Sequence, residues 1–229
     1  MNISQNSIRE DTIGRCWFKS MESIIDNGIS VQDEDVKILE VLGLTVMIDS
    51  PSLTDPLVST HGDPVVIERT LAKFSPGADM PDRPFTYGQR IFNQGGINQF
   101  DWMADRLKCK PETKSATIGL LIPGDSSPNL PCLVTIDAKI RQGRLLLQFF
   151  FRSQNIFGRQ YANLLALAKL QNMLAERCGV TVGTLSGYIA SAHIYDFDIE
   201  QAKALCAGNP EKIVDLYYQH GPGSVRTGF

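Results

Sequence analysis

From Val36 to Ile48 six apolar side chains share one parity: Val36, Ile38, Leu42, Leu44, Val46 and Ile48 are all even-numbered. That is the alternation of a long half-buried strand. The stretch before it, SIREDTIGRCWFKSMESIIDNG, has another period. Ile8, Cys16, Trp17, Met21, Ile24 and Ile25 recur at roughly helical spacing and Gly28 stops them, which predicts one helix. Residues 51 to 64 hold three prolines and a His-Gly-Asp, and 75 to 84 read SPGADMPDRP; both predict loops. VVIERTLAKF between them predicts a short helix, and INQFDWMADRLK another. ATIGLLIP, CLVTIDAKI and LLLQFFFRS predict strands, the last two joined by the tight turn RQGR, with glycine where the backbone reverses. YANLLALAKLQNMLAERCG is rich in Leu and Ala, its apolar stripe recurs at three and four, and Gly179 ends it; this is the long helix of the chain. GTLSGYIASAHIY predicts a further strand, and DIEQAKALCA and PEKIVDLYYQ two short helices. Strands and helices mix without regular βαβ alternation. The expected class is α/β of the α+β type, with one sizeable mixed sheet packed by helices.

Composition narrows the function. The 229 residues are 43% hydrophobic and 21% charged, enough to build one core, and they read as a single domain over 1–229. A net charge of −3 leaves no basic excess to neutralise a phosphate backbone, which argues against nucleic acid. A small anion needs only a local cluster. Five cysteines without a Cys-x-x-Cys pair, beside three scattered histidines, read as reduced thiols of a cytoplasmic protein, with neither a disulfide framework nor a metal site. MNISQNSIRE lacks a signal pattern, and runs such as LLLQFFF are too short to span a bilayer, so no membrane role is expected.

Four features can carry chemistry. Cys132 follows Pro131 at the head of a strand. Arg152-Ser153 closes an apolar strand. Asn163 lies in the first turn of the long helix. His193 and Tyr195 are two apart and so share a face of a strand. A thiol with pKa ~8.5 needs help to ionise, and a nearby arginine supplies it while also suiting a phosphate. Taken singly, each has a plainer reading: a core cysteine, a solvated strand end, a helix cap, a core polar pair.

Their order and spacing are more specific than any one of them. The block from Pro131 to Tyr195 resembles the centre of the thymidylate synthase family, with its Pro-Cys, its hairpin with a glycine turn, an Arg-Ser, an Asn ten residues after the Ser, a long helix and a His-x-Tyr. TYGQR resembles the family's Tyr-Gly stretch, and INQFDWMADRLKCKPETKSATI its helix and following basic pair. The resemblance implies a thymidylate synthase-like fold, a homodimer, and transfer of a one-carbon unit from 5,10-methylenetetrahydrofolate to C5 of a pyrimidine nucleoside monophosphate. It assigns Cys132 as the nucleophile that adds to C6, with Tyr87 and Glu68 as further catalytic groups. Arg152 and Ser153 would hold phosphate, Lys114 would reach it across the dimer, Asn163 would read the base, and His193 and Tyr195 would bond the sugar. Asn155 and Arg159 would face the folate.

The departures fall mainly on the folate side. Asn155 stands where the family has a carboxylate, Arg159 where it has glycine, and Lys114-Ser115 where it has two arginines. Leu133 and Asp137 replace a histidine and a glutamine, and the tail GPGSVRTGF is unlike the family's. Asn163 favours dUMP or UMP, with methylation and hydroxymethylation both open. A CMP or dCMP hydroxymethylase, a non-catalytic nucleotide-binding homologue or partner subunit, and a C5 modification with another donor are the alternatives.

Overall fold

The computed structural model describes residues 6–81, 85–124 and 130–208. Strand β1 (Ser7–Glu10) is followed by α1 (Ile13–Asn27), whose first turn is capped by Thr12. The single helix expected from Ser7 onwards is therefore divided. Ile8 lies on β1 and pairs in parallel with Val46, a long-range ladder that local spacing does not reveal. Strands β2 (Ile29–Asp33) and β3 (Val36–Ile48) form a hairpin. The even parity of β3 breaks at Gly43, which has φ +74°: Leu44, Val46 and Ile48 are buried, but so is Val41, while Leu42 is 44% exposed.

The predicted loop 51–64 contains a short helix, α2 (Pro56–His61), started by Asp55 and Pro56. The Asp55 carboxylate accepts from the N–H groups of Leu57 and Val58, and also from Gly14 of α1 at 2.8 Å. A buried carboxylate with three donors makes a strong cap. Asp63 likewise starts α3 (Pro64–Lys73), and a Thr86/Gln89 capping box starts α4 (Tyr87–Phe92). Helix α5 (Gln99–Cys109), β4 (Thr117–Gly119), β5 (Leu133–Arg141) and β6 (Arg144–Phe151) follow, the last two joined through Gln142 and Gly143, both at positive φ. After β7 (Gln154–Asn155) a π turn over Ile156–Gln160 runs into α6 (Tyr161–Cys178), ended by Gly179 at φ 67°. Strand β8 (Thr181–Tyr195) and α7 (Ile199–Ala207) complete the described chain. PEKIVDLYYQ and the tail GPGSVRTGF lie outside the described residues.

The eight strands make one mixed sheet in the order β1-β3-β8-β6-β5-β4, with β2 on β3 and β7 on β8. β8 pairs in parallel with β6 and β7 and antiparallel with β3. One continuous core lies between the sheet and α1, α5 and α6. Helix α1 also fixes the approach to β7 and α6. The Trp17 indole donates to the Ile156 carbonyl at 3.0 Å, and the Gln160 amide donates to Ser20 Oγ at 3.0 Å. The Tyr161 ring packs 4.4 Å from Trp17, and its hydroxyl accepts from the Asp63 N–H, tying the start of α3 to the start of α6.

Candidate active site

A cleft of about 420 Å³ opens where α3, α4, β7, the π turn, the start of α6 and the end of β8 meet. Cys132 lines it from the residue before β5. Its backbone is held from two sides. The Tyr87 hydroxyl accepts from the Leu133 N–H at 3.2 Å, and the Arg152 N–H donates to the Cys132 carbonyl at 2.8 Å. The Arg152 guanidinium donates through Nε to the Pro131 carbonyl at 3.1 Å and through Nη2 to the Leu130 carbonyl at 3.0 Å. Arg152 thus clamps the segment that presents the thiol; the residue is exposed and is not part of the cleft lining, which its neighbour Ser153 joins. Burial, reinforced by the neighbouring Cys132, pushes the Tyr87 phenol up to about 12, so at neutral pH it is a neutral hydrogen-bonding group.

The opposite rim comes from β8. His193 and Tyr195 both line the cleft, their rings 5.3 Å apart and edge to face, with Tyr195 stacked on Phe197. Burial lowers the His193 pKa, which keeps the imidazole neutral near pH 7. Asn163 enters from the first turn of α6. Asn155, paired with His193 in the β7–β8 ladder, turns Oδ1 to accept from the Gly158 N–H at 2.9 Å, which starts the π turn and carries Arg159 to the cleft.

Two sequence candidates stay outside. Glu68 is exposed on α3 and does not line the cleft, because the helix turns the next residues, Arg69, Thr70 and Lys73, towards it. Lys114 is exposed in a separate hollow with Arg106, Lys110 and Ser115. Conversely, Arg69, Thr70, Lys73, Met80 and Gln154 were not anticipated. The spacing of Arg69 and Lys73 by four residues, which places both on one helical face, was a usable signal. Lys73 Nζ lies 4.2 Å above the Tyr87 ring. Among the described residues the cleft lining carries three cations, Arg69, Lys73 and Arg159, and no carboxylate. No group of three or more His, Cys, Asp or Glu able to hold a metal occurs among the described residues, and no described helix is long and apolar enough to cross a membrane.

Residues 71–224 match the family model described as thymidylate synthase. A protein of Methanosarcina mazei, provisionally named a thymidylate synthase, is 31% identical over 205 residues, covering 88% of this chain and 94% of the relative. A protein of Methanothermobacter marburgensis with the same provisional name is 30% identical over 213 residues, covering 86% and 96%. The thymidylate synthase of Pseudomonas fluorescens is 28% identical over 148 residues, covering 57% and 53%. With a thiol, a neutral imidazole and neutral amides gathered in one cationic cleft on a large mixed sheet, and with most of the chain matched, the protein belongs to the thymidylate synthase family.

Proposed function

We propose that this protein transfers a one-carbon unit to C5 of a uracil nucleoside monophosphate, dUMP or UMP, through a covalent adduct at Cys132. The observation that carries the reading is the convergence of Cys132, Ser153, Asn163, His193 and Tyr195 on one cleft that also holds cations. The Cys132 thiolate adds to C6, which places an electron pair at C5. After C5 bonds the new carbon and loses its proton to solvent, release of the folate nitrogen from that carbon would leave a methylene at C5; hydride from the folate, or water, adding to the methylene would move its double bond into the ring as C5=C6 and expel the thiolate from C6. Tyr87 and Arg152 hold the nucleophile's backbone in place for this step. Ser153, with Nη1 of Arg152, takes the phosphate. Asn163 offers both a donor and an acceptor, matching the N3–H and O4 edge of uracil. Neutral His193 and Tyr195 bond the sugar.

5,10-Methylenetetrahydrofolate supplies the one-carbon unit when bound. The residues fit such a group: Arg69, Lys73 and Arg159 offer cations to its carboxylates, and Asn155, with Oδ1 engaged by Gly158, keeps Nδ2 for a pterin acceptor. We further propose a homodimer that uses the outer sheet face, where Leu42 and Tyr188 are 44% and 45% exposed and Phe150 stacks on Tyr188. Lys114, outside its own chain's cleft, serves the other copy's phosphate in this proposal. The test is tritium release from C5-labelled dUMP, UMP, dCMP and CMP with and without methylenetetrahydrofolate, followed by product mass. Folate-dependent release from a uracil nucleotide is expected, and a mass gain of one methyl or one hydroxymethyl group names the product. Release from cytosine nucleotides alone would transfer the reading to a cytosine hydroxymethylase, and no release from any of the four would end it.

A further inference from the structure

Three glutamines are buried in the described chain: Gln154 is 3% exposed, Gln160 and Gln171 0%. Two of them spend their amide on the protein. Gln160 Nε2 donates to Ser20 Oγ, and Gln171 Nε2 lies within 3.1 Å of the carbonyls of Leu145, Gly183 and Thr184, so each leaves only Oε1 open. Gln154 spends neither end: Oε1 and Nε2 are both buried without a hydrogen-bond partner in the protein. Exchanging oxygen and nitrogen does not change this, since both positions are unpartnered. Of the three, Gln154 is also the one that lines the cleft. Its backbone is fixed by the β7–β8 ladder opposite Ala192, between Ser153 and Asn155, so the amide is built into a rigid wall.

A buried primary amide with no partner destabilises the ligand-free fold, and an apolar side chain of similar shape would be better there. Its retention beside the cleft makes sense if a ligand completes it. We infer that Gln154 is a specificity-determining residue whose amide hydrogen-bonds a neutral group of the bound nucleotide that both donates and accepts. The inference rests on the nucleotide reading above. Phosphate does not suit this position, because it offers acceptors alone and an amide oxygen facing it would be repelled. The shared chemistry is that of a base N–H/C=O edge or a sugar hydroxyl.

The test replaces Gln154 by Met, close in length and apolar, and measures melting temperature without ligand and affinity for dUMP, UMP and deoxyribose 5-phosphate by calorimetry. The expected result is a melting temperature equal to or above that of the wild type, together with about tenfold weaker nucleotide binding from loss of the amide's hydrogen bonds. An equal loss for dUMP and UMP with deoxyribose 5-phosphate unaffected places the contact on the base. A loss shared by deoxyribose 5-phosphate, or one larger for UMP than for dUMP, places it on the sugar. Nucleotide affinity within about twofold of wild type overturns the inference, since hydrogen-bond loss at a buried amide exceeds that. If Gln154→Met does not fold, the side-chain NH2 resonances of Gln154 in 15N-labelled wild type decide. They shift on saturation with dUMP if the inference holds, and an unchanged pair overturns it. A wild type that binds none of these ligands ends the nucleotide reading and the inference with it; a wild type that binds while the variant binds equally well ends the inference alone.

Discussion

The cleft has two walls of different character. The sheet wall is neutral: Gln154, His193 and Tyr195 are set by strand ladders, and Cys132 and Ser153 stand next to strand ends. The helical wall, made by Arg69, Thr70 and Lys73 on α3 and Arg159 on the π turn, is cationic, and its charges sit at the ends of long side chains. Ladders fix a side chain's direction through hydrogen-bond register, so the sheet wall suits bond-making and base reading, which tolerate little displacement. Flexible cations tolerate several ligand shapes and act through charge. Cys132, Ser153, His193 and Tyr195 of the family motif belong to the first wall, and Arg159, a departure from the family pattern, to the second. On the function proposed above, chemistry belongs to the sheet wall and accommodation of an anionic second ligand to the helical wall.

Substitutions can break this division. Cys132→Ser should lower turnover by about a thousandfold or more while nucleotide affinity stays within about tenfold, because the thiol forms the bond and contributes little to recognition. Retained turnover in that variant, measured by tritium release, removes the sheet wall's chemical role. Arg152→Ala should weaken nucleoside monophosphates about 30-fold from loss of charge-assisted bonds, and should also slow turnover of nucleotide already bound, since the guanidinium holds the carbonyls of Leu130 and Pro131. A loss confined to affinity would show that the clamp does not matter. Asn163→Asp should move preference from uracil towards cytosine nucleotides by about tenfold, read from competition between dUMP and dCMP.

The helical wall should respond more weakly. Arg69→Ala and Lys73→Ala should each weaken the folate about fivefold, with an effect that fades above about 0.5 M salt, and leave dUMP affinity within about twofold. An equal loss of nucleotide affinity would merge the two walls. The smallest effect concerns stability. Burial holds the folded pKa of His193 below the ordinary 6.5, so between the two values the unfolded chain binds the proton and the folded chain does not. Stability is therefore highest above pH 6.5 and falls as pH drops from 6.5 towards the folded value. His193→Gln should flatten that fall, by at most about 1.4 kcal/mol per pH unit, in melting curves from pH 5 to 8. His61, also lowered by burial, accounts for part of what remains.

The sequence by itself determined the elements whose causes are local. The 3.6 period of Tyr161–Cys178 with Gly179 behind it, the alternation of Leu133–Arg141 and Arg144–Phe151 about Gln142-Gly143, and the Cys132 to Tyr195 order were all legible, because periodicity, turn chemistry and spacing act over a few residues. Eight of the eleven residues chosen from sequence line the cleft. Glu68, Lys114 and the Arg152 guanidinium do not, and the reason is the same for each: a helix face, a loop or a strand end is aimed by what it packs against. Only the tertiary structure moved Ile8 from a helix to an edge strand, since its ladder partner Val46 is 38 residues away. Only the packing of α3 against α6 turned Arg69 and Lys73 to the cleft and Glu68 away from it, and only the loss of solvent around Gln154 made an ordinary glutamine an unpaired amide in the wall of the site. Burial and facing depend on contacts between distant segments, and no window of the sequence contains both partners.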